Sequence, residues 1–315
     1  MAGRDITSVK TFGGKRRKVH KTSKADRTFT ICNAIFLIIF SIVTIYPVLN
    51  TVAYSFNDGV DAIKGGIHLL PRSFSTKSYS VVFHKEGIIT GAKVTVMRTV
   101  LGTVLALFFN ALLSFIVSRK RFIFKNQLSL FWVITMYVNG GLIPNLLLMQ
   151  TLHLTGTFWV YVIPGMISAF NMLVMRTYMN GLPDALEEAA MIDGATYWTI
   201  FVKVVSPLCK PVYATVALFV AVYQWNSWFD TMLYNMMKPE NTTLMYELQK
   251  LLATVSNQAG GSASSHAEAG AKGSAVTSVT VRSAATVVTM APIVCLYPFL
   301  QRYFVTGVMI GGVKE

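Results

Sequence analysis

Carboxylates are scarce in this chain. Only 14 of its 315 residues are Asp or Glu, against 28 Lys and Arg. No two acids stand where general acid and base work would need them, and neither H-E-x-x-H nor a nucleophile elbow occurs. A catalytic site is therefore not expected. The phosphate-binding run G-x-x-x-x-G-K-[ST] is also missing; Gly13-Gly14-Lys15 sits in a basic tail without the strand and helix that motif needs, so the chain should not bind ATP itself. Three cysteines, Cys32, Cys209 and Cys295, are too far apart for a metal site or a disulfide framework and read as apolar fillers. Charged residues make up 13% of the chain, where a soluble domain carries about a quarter. That shortage, with 53% hydrophobic residues and a mean hydropathy of +0.51, excludes an ordinary soluble domain. The chain reads as a membrane protein.

The charge that is present is placed unevenly. A net charge of +14 would suit nucleic acid, but nine Lys and Arg fall before the first apolar run, which fits the positive-inside rule instead. No nucleic acid is expected. Residues 1–27, with Lys15-Arg16-Arg17-Lys18 at their centre, read as a solvated tail touching anionic lipid headgroups. The remaining residues, 28–315, divide into six apolar spans near 28–57, 94–118, 126–149, 156–175, 206–229 and 283–304. Six crossings place both termini on the cytoplasmic side and leave two long external loops, 57–93 and 230–282. Inferred cytoplasmic segments hold seventeen Lys and Arg against nine outside. Arg98 and Lys210 lie within spans, where long stems can snorkel to the interface. In the second external loop, GGSASSHAEAGAKGS is low-complexity and flexible.

Polar residues inside the spans are candidates for a solute path. The third span carries Tyr137, Asn139, Gly140, Gly141, Pro144 and Asn145, and Gly-Gly before Pro should break the helix. Two readings stay open there: a lining of the path, or a kink made for packing. Asn171 in the fourth span can bond to a neighbouring helix or to a polar solute. The fifth span closes on Tyr223-Gln224-Trp225-Asn226-Ser227-Trp228-Phe229-Asp230. Those aromatics suit an interfacial belt, and Gln224, Trp225, Asn226 and Trp228 also suit contact with the apolar faces and hydroxylated edges of sugar rings.

The scarce acids collect in one place. Asp184, Glu187, Glu188 and Asp193 lie within ten residues of GLPDALEEAAMIDGATYWTIFVKVVSPLCKP, residues 181–211. Pro183 and the first acids suit a helix start, and Gly194 suits a left-handed end. This predicts a short helix of about three turns with a small-residue face. A helix lying on lipid headgroups would favour Lys, Arg and Trp instead.

Glu188-Ala189-Ala190, Gly194 four residues on, and Val204-Val205-Ser206-Pro207 resemble the EAA loop of ABC-type import permeases, and LPDALEEAAMIDGA resembles the maltose-type carbohydrate branch. Ser206 stands where that family usually has Leu. The resemblance implies an all-α membrane protein with six transmembrane helices and a cytoplasmic coupling helix, the type I ABC importer permease fold, in a bacterial plasma membrane. It implies ATPase-coupling roles for Glu187, Glu188, Ala189, Ala190, Asp193 and Gly194. The implied partners are a second related permease, two ATPase subunits holding ATP and Mg2+, an extracytoplasmic solute-binding protein, an oligosaccharide substrate and membrane lipid. No cofactor would be bound by this chain. The long fifth-to-sixth loop and the ending QRYFVTGVMIGGVKE resemble importers of complex oligosaccharides in Gram-positive-type bacteria. The alternative is an ion-gradient-driven secondary transporter, which should show internal repeats and intramembrane acids; neither is evident. A membrane receptor or scaffold would need neither the broken third span nor the acidic loop.

Overall fold

The computed structural model describes residues 24–260 and 276–312, and these are almost entirely helical. The basic tail up to residue 23 and most of the low-complexity run lie outside them. The chain separates into residues 1–50 and residues 51–315. The first part is described from α1 (Lys24–Ser55), a helix of 32 residues that exceeds the about 20 needed to cross a bilayer. Its apolar side chains, Phe36, Ile39 and Ile42 among them, face outward.

The larger part runs through α2 (Gly59–Ile63), α3 (Lys77–Phe83), α4 (Glu86–Ser118), α5 (Lys125–Tyr137) and α6 (Leu142–Thr151). Two 3-10 turns, Phe158–Tyr161 and Ile163–Gly165, lead to α7 (Ala169–Asn180) and the short α8 (Asp184–Ile192). Then come α9 (Tyr197–Leu208), α10 (Lys210–Asn226), α11 (Phe229–Tyr234), α12 (Leu244–Gly260) and α13 (Ser278–Gly312). Among the described residues, three helices are long and apolar enough to cross a membrane unaided: α1, α4 and the first half of α13. Three bent pairs meet the same test together: α5 with α6 at 116°, the 3-10 turns with α7 at 43°, and α9 with α10 at 81°. That makes up to six crossings, as the hydropathy pattern predicts.

The larger part is built on α4. Gly91, Thr95, Arg98, Gly102, Ala106, Asn110, Ser114 and Val117 are all buried, at spacings of three and four, so they share one face. Mostly small side chains let α7, α10 and α12 approach closely, as membrane helix packing requires. Ala106, Ala111 and Phe115 of α4 form a core with Met175 and Met179 of α7, Ile200, Phe201 and Val205 of α9, and Val212, Val216 and Val220 of α10.

Each break in a crossing exposes backbone groups that lipid cannot satisfy. At the sharpest one, Gly141 adopts φ +88°, a left-handed conformation open to glycine. The Asn139 carboxamide oxygen accepts from the Gly141 amide at 2.9 Å. This is the Gly-Gly break expected from the sequence. Between the 3-10 turns and α7, buried Asn110 donates to the Met166 carbonyl and accepts from the Ser168 amide, both at 3.0 Å. Ser114 donates to the Met172 carbonyl at 2.8 Å. A π-helical stretch, Ile200–Val205, precedes the bend at Cys209.

Two expectations change. The second crossing helix starts at Glu86, eight residues before the apolar run at 94, because its first turns are held by protein contacts that hydropathy does not register. The segments 57–93 and 230–282 are also more than loops. The first carries α2 and α3, and the second carries α11 and α12. The start of α12 docks on α4, where the Leu244 amide donates to Thr95 Oγ1 at 2.9 Å. A Cβ on Gly91 would lie 2.8 Å from that amide nitrogen and 2.9 Å from the Thr243 carbonyl carbon. In an open helix Gly→Ala stabilises by about 1 kcal/mol. Gly91→Ala is expected to do the reverse and lower the thermal midpoint in detergent, because the backbone it meets cannot swing aside. A midpoint at or above the wild-type value would mean that α12 is free to move away.

Candidate functional site

The acidic stretch folds much as its residues dictate. The α8 helix spans nine residues from Asp184 to Ile192, with Asp184 and Glu187 in its first turn. Gly194 follows at φ +77°, with open space where a Cβ would sit. The conformation, not crowding, calls for glycine there. One side of α8 meets the body: Ala190 and Met191, with Leu182 just before the helix, pack on the α4–α7–α9–α10 core. The other side is open. Ala189, Asp193 and Gly194 are exposed, and Ile192 is 86% exposed.

Two ion pairs tie α8 to the end of α4. Arg119 pairs with Glu187, both side chains mostly buried at 13% and 19% exposure. The Arg119 guanidinium also lies 4.7 Å from the centre of the Phe115 ring and donates to the Ser118 hydroxyl, so its position is fixed from three directions. Lys120 pairs with Asp184 nearer to solvent. The hydrogen bond to Asp184, then its charge, hold the Lys120 ammonium above the ordinary lysine range, and Glu188 adds a smaller push. That exposed pair contributes little stability; the Arg119–Glu187 pair is the firmer tether. Of the six coupling candidates, Glu187 and Ala190 are half-buried against the body, Glu188 is exposed but borders the space between α8 and the end of α4, and Ala189, Asp193 and Gly194 lie exposed.

A second polar cluster sits near the other end of α4. Arg98 does not snorkel. It is three turns into its helix and 1% exposed, because protein groups supply what water would otherwise provide. Its guanidinium reaches Asp230 Oδ2 at 2.5 Å and Oδ1 at 3.2 Å, and donates to Gln224 Oε1 at 2.8 and 3.0 Å. The Tyr161 ring lies 4.5 Å away. Gln224 Nε2 in turn donates to the Tyr161 carbonyl at 3.2 Å. One buried cation thereby joins α4, α10, the 3-10 turn and the start of α11.

The substrate-path candidates do not share one surface. Tyr137, Asn139 and Asn145 are exposed around the α5–α6 bend, with Tyr137 at 82%. Gln224 and Trp225 are buried, and their polar groups are engaged within the chain: Gln224 as above, Trp225 Nε1 donating to the Thr289 carbonyl at 3.0 Å. Asn171 is buried as well, while Asn226 and Trp228 are half-buried. Sequence reasoning missed the Arg98–Asp230 pair and the two pairs that tie α8 to α4. An Arg in an apolar run was the available signal for the first; nothing local pointed to Glu187 as the partner of Arg119.

Residues 99–310 match the family described as the binding-protein-dependent transport system inner membrane component. The polygalacturonan/rhamnogalacturonan transport system permease protein YtcP of Bacillus subtilis (strain 168) is 32% identical over 289 residues, covering 92% of this chain and 99% of that protein. Protein LplC of the same organism is 32% identical over 301 residues, covering 94% and 98%. Among solved structures, a chain of a bacterial ABC transporter involved in the import of the acidic polysaccharide alginate aligns at a TM-score of 0.81 and 30% identity, over 91% of this chain and 100% of that one. With the family match spanning most of the chain, relatives aligned over nearly their whole length and the bent-helix fold in common, this protein belongs to the inner-membrane permeases of binding-protein-dependent ABC importers.

Proposed function

We propose that this chain is one of two related permeases in an ATP-driven importer of oligosaccharides, and that α8 docks on a separate ATPase subunit. The observation that carries the coupling role is the two-sided character of α8. Its inner side is bound to α4 by Arg119–Glu187 and to the core by Ala190 and Met191, while its outer side presents Ala189 and a highly exposed Ile192. An apolar side chain left open beside small residues suits a protein groove. ATP and Mg2+ would reside on the ATPase. Its closure would move α8, and the tether would carry that movement to α4. The two states differ in the contacts that α8 makes, which is what lets ATP favour one of them. Both termini would then lie on the ATPase side.

An extracytoplasmic binding protein would deliver the sugar. YtcP is named for polygalacturonan and rhamnogalacturonan and the aligned structure for the acidic polysaccharide alginate, so acidic, uronate-containing oligosaccharides are the first class to screen. The exposed groups Tyr137, Asn139 and Asn145 at the α5–α6 bend are the more accessible contacts, and the half-buried Asn226 and Trp228 the less accessible ones. The test is purification of the native assembly in lipid through a tag on this chain. ATPase activity is expected to copurify and to rise when the sugar-loaded binding protein is added. A chain that purifies alone and without ATPase activity would favour the secondary transporter instead.

A further inference from the structure

Beside α8 lies a cleft of about 500 Å³, walled by the ends of α4 and α7, the start of α5 and the inner side of α8. Five cations and three carboxylates line it. Arg119 and Lys120 are matched by Glu187 and Asp184. That leaves Arg121, Lys125 and Arg176 against a single further acid, Glu188. Arg176 is the least settled of them: its Nε is fully buried and has no hydrogen-bond partner. A buried guanidinium nitrogen without an acceptor is costly unless some ligand supplies one. Part of the lining is apolar, from Met179, Met191, Val205 and Leu208.

We propose that this cleft binds a phosphoryl group, and specifically the phosphodiester of an anionic phospholipid. The guanidiniums of Arg121 and Arg176 are planar forks suited to phosphate oxygens, and Lys125 adds a point charge. The apolar wall accounts for the choice of lipid: a free phosphate has nothing to place there, whereas a headgroup brings its glycerol and upper acyl carbons. The cleft is lined by the last residues of α4 and the first of α5, and the ends of helices that cross a bilayer lie near headgroup level. This assignment needs only the family's membrane placement and stands whether or not α8 docks on an ATPase.

The chain, with whatever subunits it retains, is placed in nanodiscs of mixed phosphatidylglycerol and phosphatidylcholine, and retained lipid is counted by native mass spectrometry. Wild type is expected to keep phosphatidylglycerol. The triple variant Arg121→Gln/Lys125→Gln/Arg176→Gln is expected to keep at least about tenfold less, since interfacial cations supply the attraction to anionic headgroups. Lys77→Gln/Lys85→Gln/Lys93→Gln removes the same charge elsewhere and is expected to behave as wild type. Arg121 is exposed, so Arg121→Gln alone gives a reading even if the triple variant fails to fold. In a second arm, phosphatidylcholine nanodiscs receive millimolar inorganic phosphate. Thermal stabilisation of wild type but not of the variant, without retained phosphatidylglycerol, would keep the phosphoryl site and move its source to solution. Equal lipid retention by wild type and both triple variants, with no phosphate effect, would overturn the proposal. So would loss of a copurifying subunit from the cleft variant with no change in lipid, which would make the cleft a protein contact.

Discussion

Asp230→Leu is expected to cost about 3–5 kcal/mol of stability, the range for removing one partner of a buried ion pair. Arg98 is 1% exposed and pairs with Asp230 at 2.5 Å. Without the carboxylate, its charge keeps only neutral partners: the Gln224 oxygen, the Ser227 carbonyl at 3.5 Å and the Tyr161 ring face. The midpoint of thermal unfolding in detergent should fall by about 10 °C, given a few degrees per kcal/mol for a chain of this size. The double variant Arg98→Met/Asp230→Leu separates this account from simple loss of contacts. Removing both partners leaves no unpaired charge, so the double variant should be more stable than Asp230→Leu alone. If the two losses merely add, Arg98 has other support and the pair is not what holds it.

Glu187→Arg is expected to cut the sugar moved per ATP hydrolysed by about tenfold, within the 1–3 kcal/mol usual for coupling between sites. The substitution sets a second cation against Arg119 in a mostly buried position, where like charges repel strongly. The helix would swing off the end of α4 while Ala190 and Met191 keep it near the core. A docked ATPase would still find Ala189 and Ile192 on the open side, so hydrolysis should persist while transport fails. Arg119→Glu/Glu187→Arg restores opposite charges with the partners exchanged, and uptake should recover in large part. Uptake is measured in proteoliposomes alongside phosphate release. Unchanged uptake in Glu187→Arg would mean that movement reaches the body through the apolar contacts alone.

Legibility followed the range of the interaction. The Gly-Gly break, the left-handed Gly194 and the extent of α8 came from neighbouring residues, and each is found where local chemistry puts it. Gln224 was harder. Read locally, an amide among tryptophans at the end of a span suits a sugar; in the fold its oxygen faces Arg98, 126 residues away, and its nitrogen faces the Tyr161 carbonyl. A polar side chain has the same composition whether it awaits a solute or completes an internal pair. Arg98 shows the same limit: a cation in an apolar run can snorkel or be matched, and only the packing of α10 and α11 against α4 decides which.

The sequence by itself determined the membrane class, the count of six crossings, the acidic helix and the family. All of these follow from hydropathy, from backbone preference or from a contiguous motif. Only the tertiary structure decided that α4 is the central helix, that Glu187 is tied to Arg119 while Ala189 and Ile192 stay open, and that the start of α12 docks on α4. The reason is physical. Hydropathy is a property of neighbours along the chain, whereas an ion pair or a close backbone approach depends on which distant residues the helix bends bring together.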